Sequence, residues 1–127
     1  MRKGKITPNG VVLEKHENAT VVFLTELGHD IELVRPRPAE HIKTPDIKLK
    51  GRYWEIKCPK GAGKYTIEHL MQAANKQAEN LIIDLRRTKA PARSLAKIER
   101  EAKYRKGLKR IIVITKDRQV LDIKGSF

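Results

Sequence analysis

Residues 45–57 read Pro45-Asp46-Ile47-Lys48-Leu49-Lys50-Gly51-Arg52-Tyr53-Trp54-Glu55-Ile56-Lys57. The stretch divides at Lys50-Gly51, a tight-turn dipeptide. Apolar and polar residues alternate on either side, which predicts two strands, 45–49 and 52–58, paired as a hairpin. On the second strand Glu55 and Lys57 are two apart and leave the same face, whereas Ile56 between them points to the core. The turn folds Asp46 back beside Glu55. Two carboxylates and one amine are therefore expected to converge at one edge of a sheet. An ordinary surface ladder, with Glu55 paired to Lys57 or to a lysine across the strand, is the alternative.

Upstream of the hairpin, Leu13, Glu17, Thr20, Leu24 and Leu27 recur at spacings of three and four, predicting a helix over 10–27 that Gly28 ends. A short strand, 30–34, follows, and Pro36 and Pro38 break it. Residues 1–9 read as a loose start. Downstream, a Gly- and Lys-rich loop (59–65) leads into a helix over 67–80 with Ile67, Leu70, Met71, Ala74 and Ala78 as its apolar stripe. A buried strand (81–85), a helix over 92–105 resting on Leu95, Ile98 and Ala102, and a hairpin of 110–115 and 119–123 complete the chain. The order αβββαβαββ implies one α/β domain over 1–127, built on a central mixed sheet flanked by helices.

The 127 residues carry 28 Lys and Arg against 15 Asp and Glu, a net charge of +13. That excess favours a polyanionic partner, of which nucleic acid is the commonest. No apolar run nears the ~20 residues that cross a bilayer, and no apolar segment follows the basic start as in a signal peptide. Action in the cytoplasm, without a membrane partner, is the expectation. Against that background the carboxylate–lysine cluster suits phosphodiester hydrolysis. Carboxylate oxygens are the ligands Mg²⁺ or Mn²⁺ prefers. Such an ion activates water and offsets charge at phosphate, and the Lys57 ammonium is suited to the same transition state. Glu17 joins the case because a carboxylate on an apolar stripe needs a partner, and a metal or Lys57 would serve. Glu14 is its rival for the role, and a wet position at the stripe edge is the plain alternative.

Pro45-Asp46 followed by Glu55-Ile56-Lys57 resembles the motif of the PD-(D/E)xK, restriction-endonuclease-like nucleases. The run from Glu17-Asn18-Ala19 to Leu24, then Leu27-Gly28-His29-Asp30-Ile31-Glu32, is similar to the opening of the C-terminal nuclease domains of contact-dependent growth inhibition toxins. The likeness spans about residues 10–123. It implies Asp46 and Glu55 as metal ligands for Mg²⁺ or Mn²⁺, the Ile56 carbonyl as a third, Lys57 as the catalytic amine, and Glu17 completing the shell. Gln77 resembles a glutamine that such nucleases place on the helix after the motif. RNA, tRNA in particular, is the implied substrate, and an acidic immunity protein the implied partner. If the chain is a delivered toxin, the cytoplasm concerned is that of a target cell. A DNA endonuclease of resolvase or restriction type, and a non-catalytic nucleic-acid-binding module, remain the alternatives.

Residues 86–110 hold eleven Lys and Arg against two Glu. On the third helix Arg93, Lys97 and Arg100 share a face that suits a phosphate backbone. Lys60 and Lys64 form a second basic element just after the catalytic strand. The loop does not match G-x-x-x-x-G-K-[ST], which excludes the nucleoside-triphosphate loop. Tyr53 and Tyr65 are candidate base-stacking residues, while Trp54 is expected in the core. His16, His29, His41 and His69 lack metal spacing, although His41 stands just before Asp46. Cys58 reads as a buried thiol.

Overall fold

The computed structural model describes residues 2–36, 44–61 and 63–127. Its elements are β1 (Ile6–Thr7), α1 (Lys15–Glu26), β2 (Ile31–Leu33), β3 (Ile47–Leu49), β4 (Arg52–Lys57), α2 (Thr66–Gln77), β5 (Asn80–Asp84), α3 (Pro91–Ala102), β6 (Arg110–Ile114) and β7 (Val120–Lys124). Among the described residues the sheet has seven strands, in spatial order β1 to β7. The pairing is mixed. β1 lies parallel to β2, β2–β3–β4 run antiparallel, β4–β5–β6 run parallel, and β7 returns antiparallel to β6. The expected α/β fold with a mixed central sheet is therefore present.

Two elements depart from the sequence reading. The start is not wholly loose, because Ile6–Thr7 add a strand to β2 and the order becomes βαβββαβαββ. The first helix begins at Lys15, after the N-cap Glu14, not near residue 10. Leu13 still packs on the core, from a non-helical approach, so its four-residue spacing to Glu17 imitated a helical turn. At the other end Gly28 (φ 100°) closes α1. Its N–H bonds the Thr25 carbonyl at 2.9 Å and the His29 N–H bonds the Leu24 carbonyl at 3.2 Å, which is a Schellman cap. Boundaries elsewhere move by a few residues. Asn80, expected at the end of a helix, opens β5, where its side chain donates to the Tyr53 carbonyl and accepts from Arg110.

The helices divide between the two faces of the sheet. Val21, Phe23 and Leu24 of α1 pack with Ile47, Leu49, Trp54, Ile56 and Ile82 on one face. Ile67, Met71 and Ala74 of α2 and Ile98 and Ala102 of α3 pack with Leu81, Ile83, Ile111 and Val113 on the other. Trp54 is fully buried, as its alternation with Tyr53 and Glu55 requires. Its indole N–H donates to the Leu49 carbonyl at 3.1 Å, so the large side chain enters the core without an orphaned donor.

Candidate active site

The hairpin that the sequence marks is built as expected. Lys50 and Gly51 have φ of 51° and 76°, the paired left-handed conformation of a type I′ turn, whose twist matches the strands it joins. The register pairs Leu49 with Arg52 and Ile47 with Trp54. Just before β3, the Asp46 N–H bonds the Trp54 carbonyl at 3.0 Å, which sets Asp46 next to Glu55. The Asp46 carboxylate accepts the Ile56 N–H at 2.8 Å and hydrogen-bonds the Glu55 carboxyl. The two acids therefore touch. They do so on a central strand and not at a sheet edge, because β1 and β2 extend the sheet beyond β3. β4 is also where pairing changes from antiparallel to parallel.

Glu55 is only 5% exposed. Burial, the hydrogen bond that the protonated Glu55 donates to Asp46 and the Asp46 charge push its carboxyl up to about 9, against the pull of Lys57 and the Ile56 N–H. At neutral pH Glu55 keeps its proton, the expected outcome when a buried carboxyl lies against a second one. Glu17, half-buried in the first turn of α1, is raised by burial, then by Asp46 and Glu14, and lowered by Lys57. It therefore lies within electrostatic reach of both Asp46 and Lys57. Glu14 is exposed and faces His16 at 3.6 Å. Glu17, Asp46, Glu55 and Lys57 thus form one neighbourhood, drawn from α1, the approach to β3, and β4.

The donor chemistry fits a hard divalent cation. An ionised carboxylate has about four acceptor positions, and two at Asp46 are taken by Ile56 and Glu55. A cation between the acids would displace the Glu55 proton and remove their repulsion. Among the described residues no three His, Cys, Asp or Glu side chains are already gathered as a metal cluster; the carboxyl pair is the core of the candidate site.

A second group of residues, missed by the sequence reading, braces this neighbourhood. Fully buried Thr20 lies one turn beyond Glu17 and donates its hydroxyl to Asp84 at 2.6 Å. The Cys58 thiol, next to Lys57, is 3.4 Å from the same hydroxyl. Arg86 clamps Asp84 through Nε and a terminal nitrogen at 3.0 and 2.8 Å, bonds the Ala19 carbonyl at 3.0 Å, and lies 4.6 Å from the Phe23 ring centre. Arg87 Nε donates to the Cys58 carbonyl at 2.8 Å. α1 is thereby latched to the exits of β4 and β5. Cys58 is half-buried, and burial pushes its thiol up to about 11, so it is an inert packing group. One signal pointed to the latch: Asp84 is a carboxylate inside the apolar run Leu81–Leu85, which demands a buried partner.

The remaining candidates lie elsewhere. Lys64, Arg93, Lys97 and Arg100 line a groove with Gly61, Gly63 and Ser94. Lys60 is exposed on the loop leading to it, and Gln77 is half-buried in the last turn of α2. Tyr53 and Tyr65 are about half exposed. His29 sits against Phe127, with ring centres 4.9 Å apart, and burial lowers its basicity. His41 lies outside the described residues.

No curated protein sequence matches the chain. Among solved structures, the CdiA-CT/CdiI toxin and immunity complex from Burkholderia pseudomallei contains a chain that superposes with a TM-score of 0.69 at 20% identity, over 96% of this chain and 100% of that one. At that identity the likeness establishes the shared fold. The family model described as the contact-dependent growth inhibition CdiA C-terminal domain matches residues 43–120. The match takes in the whole motif hairpin, the latch residues Cys58, Asp84 and Arg86 and both later helices, and stops short of α1. By that match the chain belongs to the contact-dependent growth inhibition CdiA C-terminal domain family.

Proposed function

We propose that this chain is a toxin nuclease of the PD-(D/E)xK kind, hydrolysing nucleic acid phosphodiesters with a divalent cation. The observation that carries the proposal is the buried Asp46–Glu55 carboxyl pair beside Lys57. Asp46 and Glu55 would hold Mg²⁺ or Mn²⁺, with Glu17 or the Ile56 carbonyl as a further donor. When bound, such an ion lowers the pKa of a water molecule and offsets charge on phosphate. The chain supplies the rest. The approach to β3 and strand β4 hold the two carboxylates side by side. Lys57, two residues from Glu55 on the same strand, presents a positive group where negative charge builds on the phosphate. Glu17 supports that amine electrostatically, and the Thr20–Asp84–Arg86 latch keeps Glu17 near it.

RNA, and tRNA first, is the proposed substrate, with action in the cytoplasm of a cell that receives the domain. The partner proposed for the producing cell is an acidic immunity protein. The net charge of +13 supports both, since a polyanion and an acidic protein are drawn to the same surface.

The test is incubation of purified protein with total tRNA, single-stranded DNA and duplex DNA in Mg²⁺, Mn²⁺ or chelator, beside Asp46→Ala and Glu55→Ala. Cleavage of tRNA that needs the cation and both acids is expected. Cleavage of DNA alone would replace the substrate, and cleavage surviving in chelator or in either variant would refute the site.

A further inference from the structure

The loop that leaves β4 doubles back toward α3. Arg87 holds the Cys58 carbonyl at 2.8 Å, and the Thr88 hydroxyl lies 3.4 Å from the Gly61 carbonyl. Between this loop and α3 runs a groove of about 460 Å³. Lys64 and Thr66 stand on one wall, and Arg93, Ser94, Lys97 and Arg100 on the other. Among the described residues no acidic side chain lines it. The acids of α3 point elsewhere: Glu101 pairs with Arg105 at 2.8 Å, and Glu99 lines the opposite groove against β7. The loop wall is kept low by glycine, since a Cβ at Gly63 would lie 3.0 Å from the Thr66 hydroxyl. Gly61 is four residues beyond Lys57, so the near end of the groove is within about 14 Å of the Lys57 backbone.

We infer that this groove seats the phosphate backbone of the substrate strand beside the position where it is cut. The inference rests on the nuclease reading and adds to it the second contact point. Four cations converge on a channel that, among the described residues, has no aromatic lining, Tyr65 lying under Lys64 at 5.5 Å just outside it. Such a surface binds phosphates in series and is indifferent to the bases. The loop ties the channel to the end of β4, so a strand held there is delivered to Asp46, Glu55 and Lys57 in a fixed direction. Alignment of that kind raises the rate without contacting the reacting atoms.

The experiment compares three proteins, each carrying Glu55→Gln so that nothing is cut. One has no further change. The second carries Arg93→Ala, Lys97→Ala and Arg100→Ala. The third carries Lys103→Ala, Lys106→Ala and Lys109→Ala, three exposed cations outside the groove that give the same loss of net charge. Anisotropy titrations use a fluorescent single-stranded RNA over a range of salt. The groove variant should bind tenfold or more weaker at low salt, and its log-affinity against log-salt slope should flatten by about 2, the release expected for three phosphate contacts on a single strand. The outer variant should change little. Lys64→Glu, which reverses one charge on the other wall and leaves α3 intact, should weaken binding in the same way. Equal losses in the groove and outer variants, or an unchanged slope in the groove variant with Lys64→Glu silent, would overturn the inference and leave the nuclease reading standing. Groove-dependent binding by a chain that cuts no substrate with Glu55 restored would support the groove and remove the nuclease reading.

Discussion

Replacing Glu55 with Gln should stabilise the metal-free protein as pH rises while it abolishes cleavage. In the unfolded chain this carboxyl gives up its proton near 4.5, and in the folded chain near 9. Between those values the folded form binds one more proton than the unfolded form. Stability from this group is therefore complete below about pH 4.5 and is lost progressively up to about pH 9. The slope is about 1.4 kcal/mol per pH unit. From pH 5 to 7 the loss is about 3 kcal/mol, a large share of the ~5–15 kcal/mol that holds a domain together. Gln stays neutral at every pH, and its amide N–H can donate to Asp46 as the protonated acid does. The side chain is almost fully buried, so solvent screening does little to reduce the effect.

The assay is urea unfolding of wild type and Glu55→Gln in chelator at pH 5, 6, 7 and 8, followed by far-ultraviolet circular dichroism and the fluorescence of buried Trp54. General charge repulsion from the +13 surface acts on both proteins and drops out of the difference. That difference should grow by about 1.4 kcal/mol per unit in favour of the variant. Millimolar Mn²⁺ should then stabilise wild type, narrowing the gap, and leave the variant unmoved. Stability profiles that run parallel from pH 5 to 8 would show that Glu55 does not hold its proton against Asp46, and the reasoning from a strained carboxyl pair would fail.

Two further outcomes follow from the bracing of the site. Thr20→Val removes the hydroxyl that donates to Asp84 at 2.6 Å; it should lower stability by about 1–3 kcal/mol and reduce kcat about tenfold with KM held, and a kcat equal to wild type would show that the latch does not position Glu17. Gly4→Ala would set a Cβ 1.9 Å from the His29 carbonyl oxygen and so should prise β1 from β2; the Ile31 amide, bonded to the Lys5 carbonyl at 2.9 Å, should lose hydrogen-exchange protection, and full protection there would contradict the contact.

What could be read from the sequence, and what could not, separates by the range of the interactions. The turn at Lys50-Gly51, the shared face of Glu55 and Lys57 and the return of Asp46 are consequences of strand period and turn geometry over a dozen residues. Nothing distant can alter them without breaking the hairpin, so the core of the site was legible. The ends of α1 show the contrast. Gly28 is a local signal and marked its end correctly, whereas Leu13 packs on the core from a non-helical approach, and its spacing of four to Glu17 is one that periodicity alone cannot tell from a first helical turn. β1 was invisible because two residues make no pattern, and only Ile31 and Glu32 give them strand character.

The latch was hidden for a different reason. Thr20, Cys58, Asp84 and Arg86 come from three separate elements, and their only trace in the sequence is a carboxylate among apolar residues. Yet the local motif is not sufficient on its own. Glu17 and Lys57 reach each other only if α1 is held against the exits of β4 and β5. The N-cap residue Glu14 makes no side-chain cap, and Glu17 itself accepts the Glu14 N–H, so local bonds leave the first turn free to shift against the sheet and tertiary contacts set its position. A buried, charge-assisted clamp next to that turn supplies what a cap would not: it fixes the helix relative to the sheet. The division follows from the chemistry, since ligands to one ion must be spaced within a few ångström by the backbone that bears them, while their orientation can be set by any rigid contact the fold brings near.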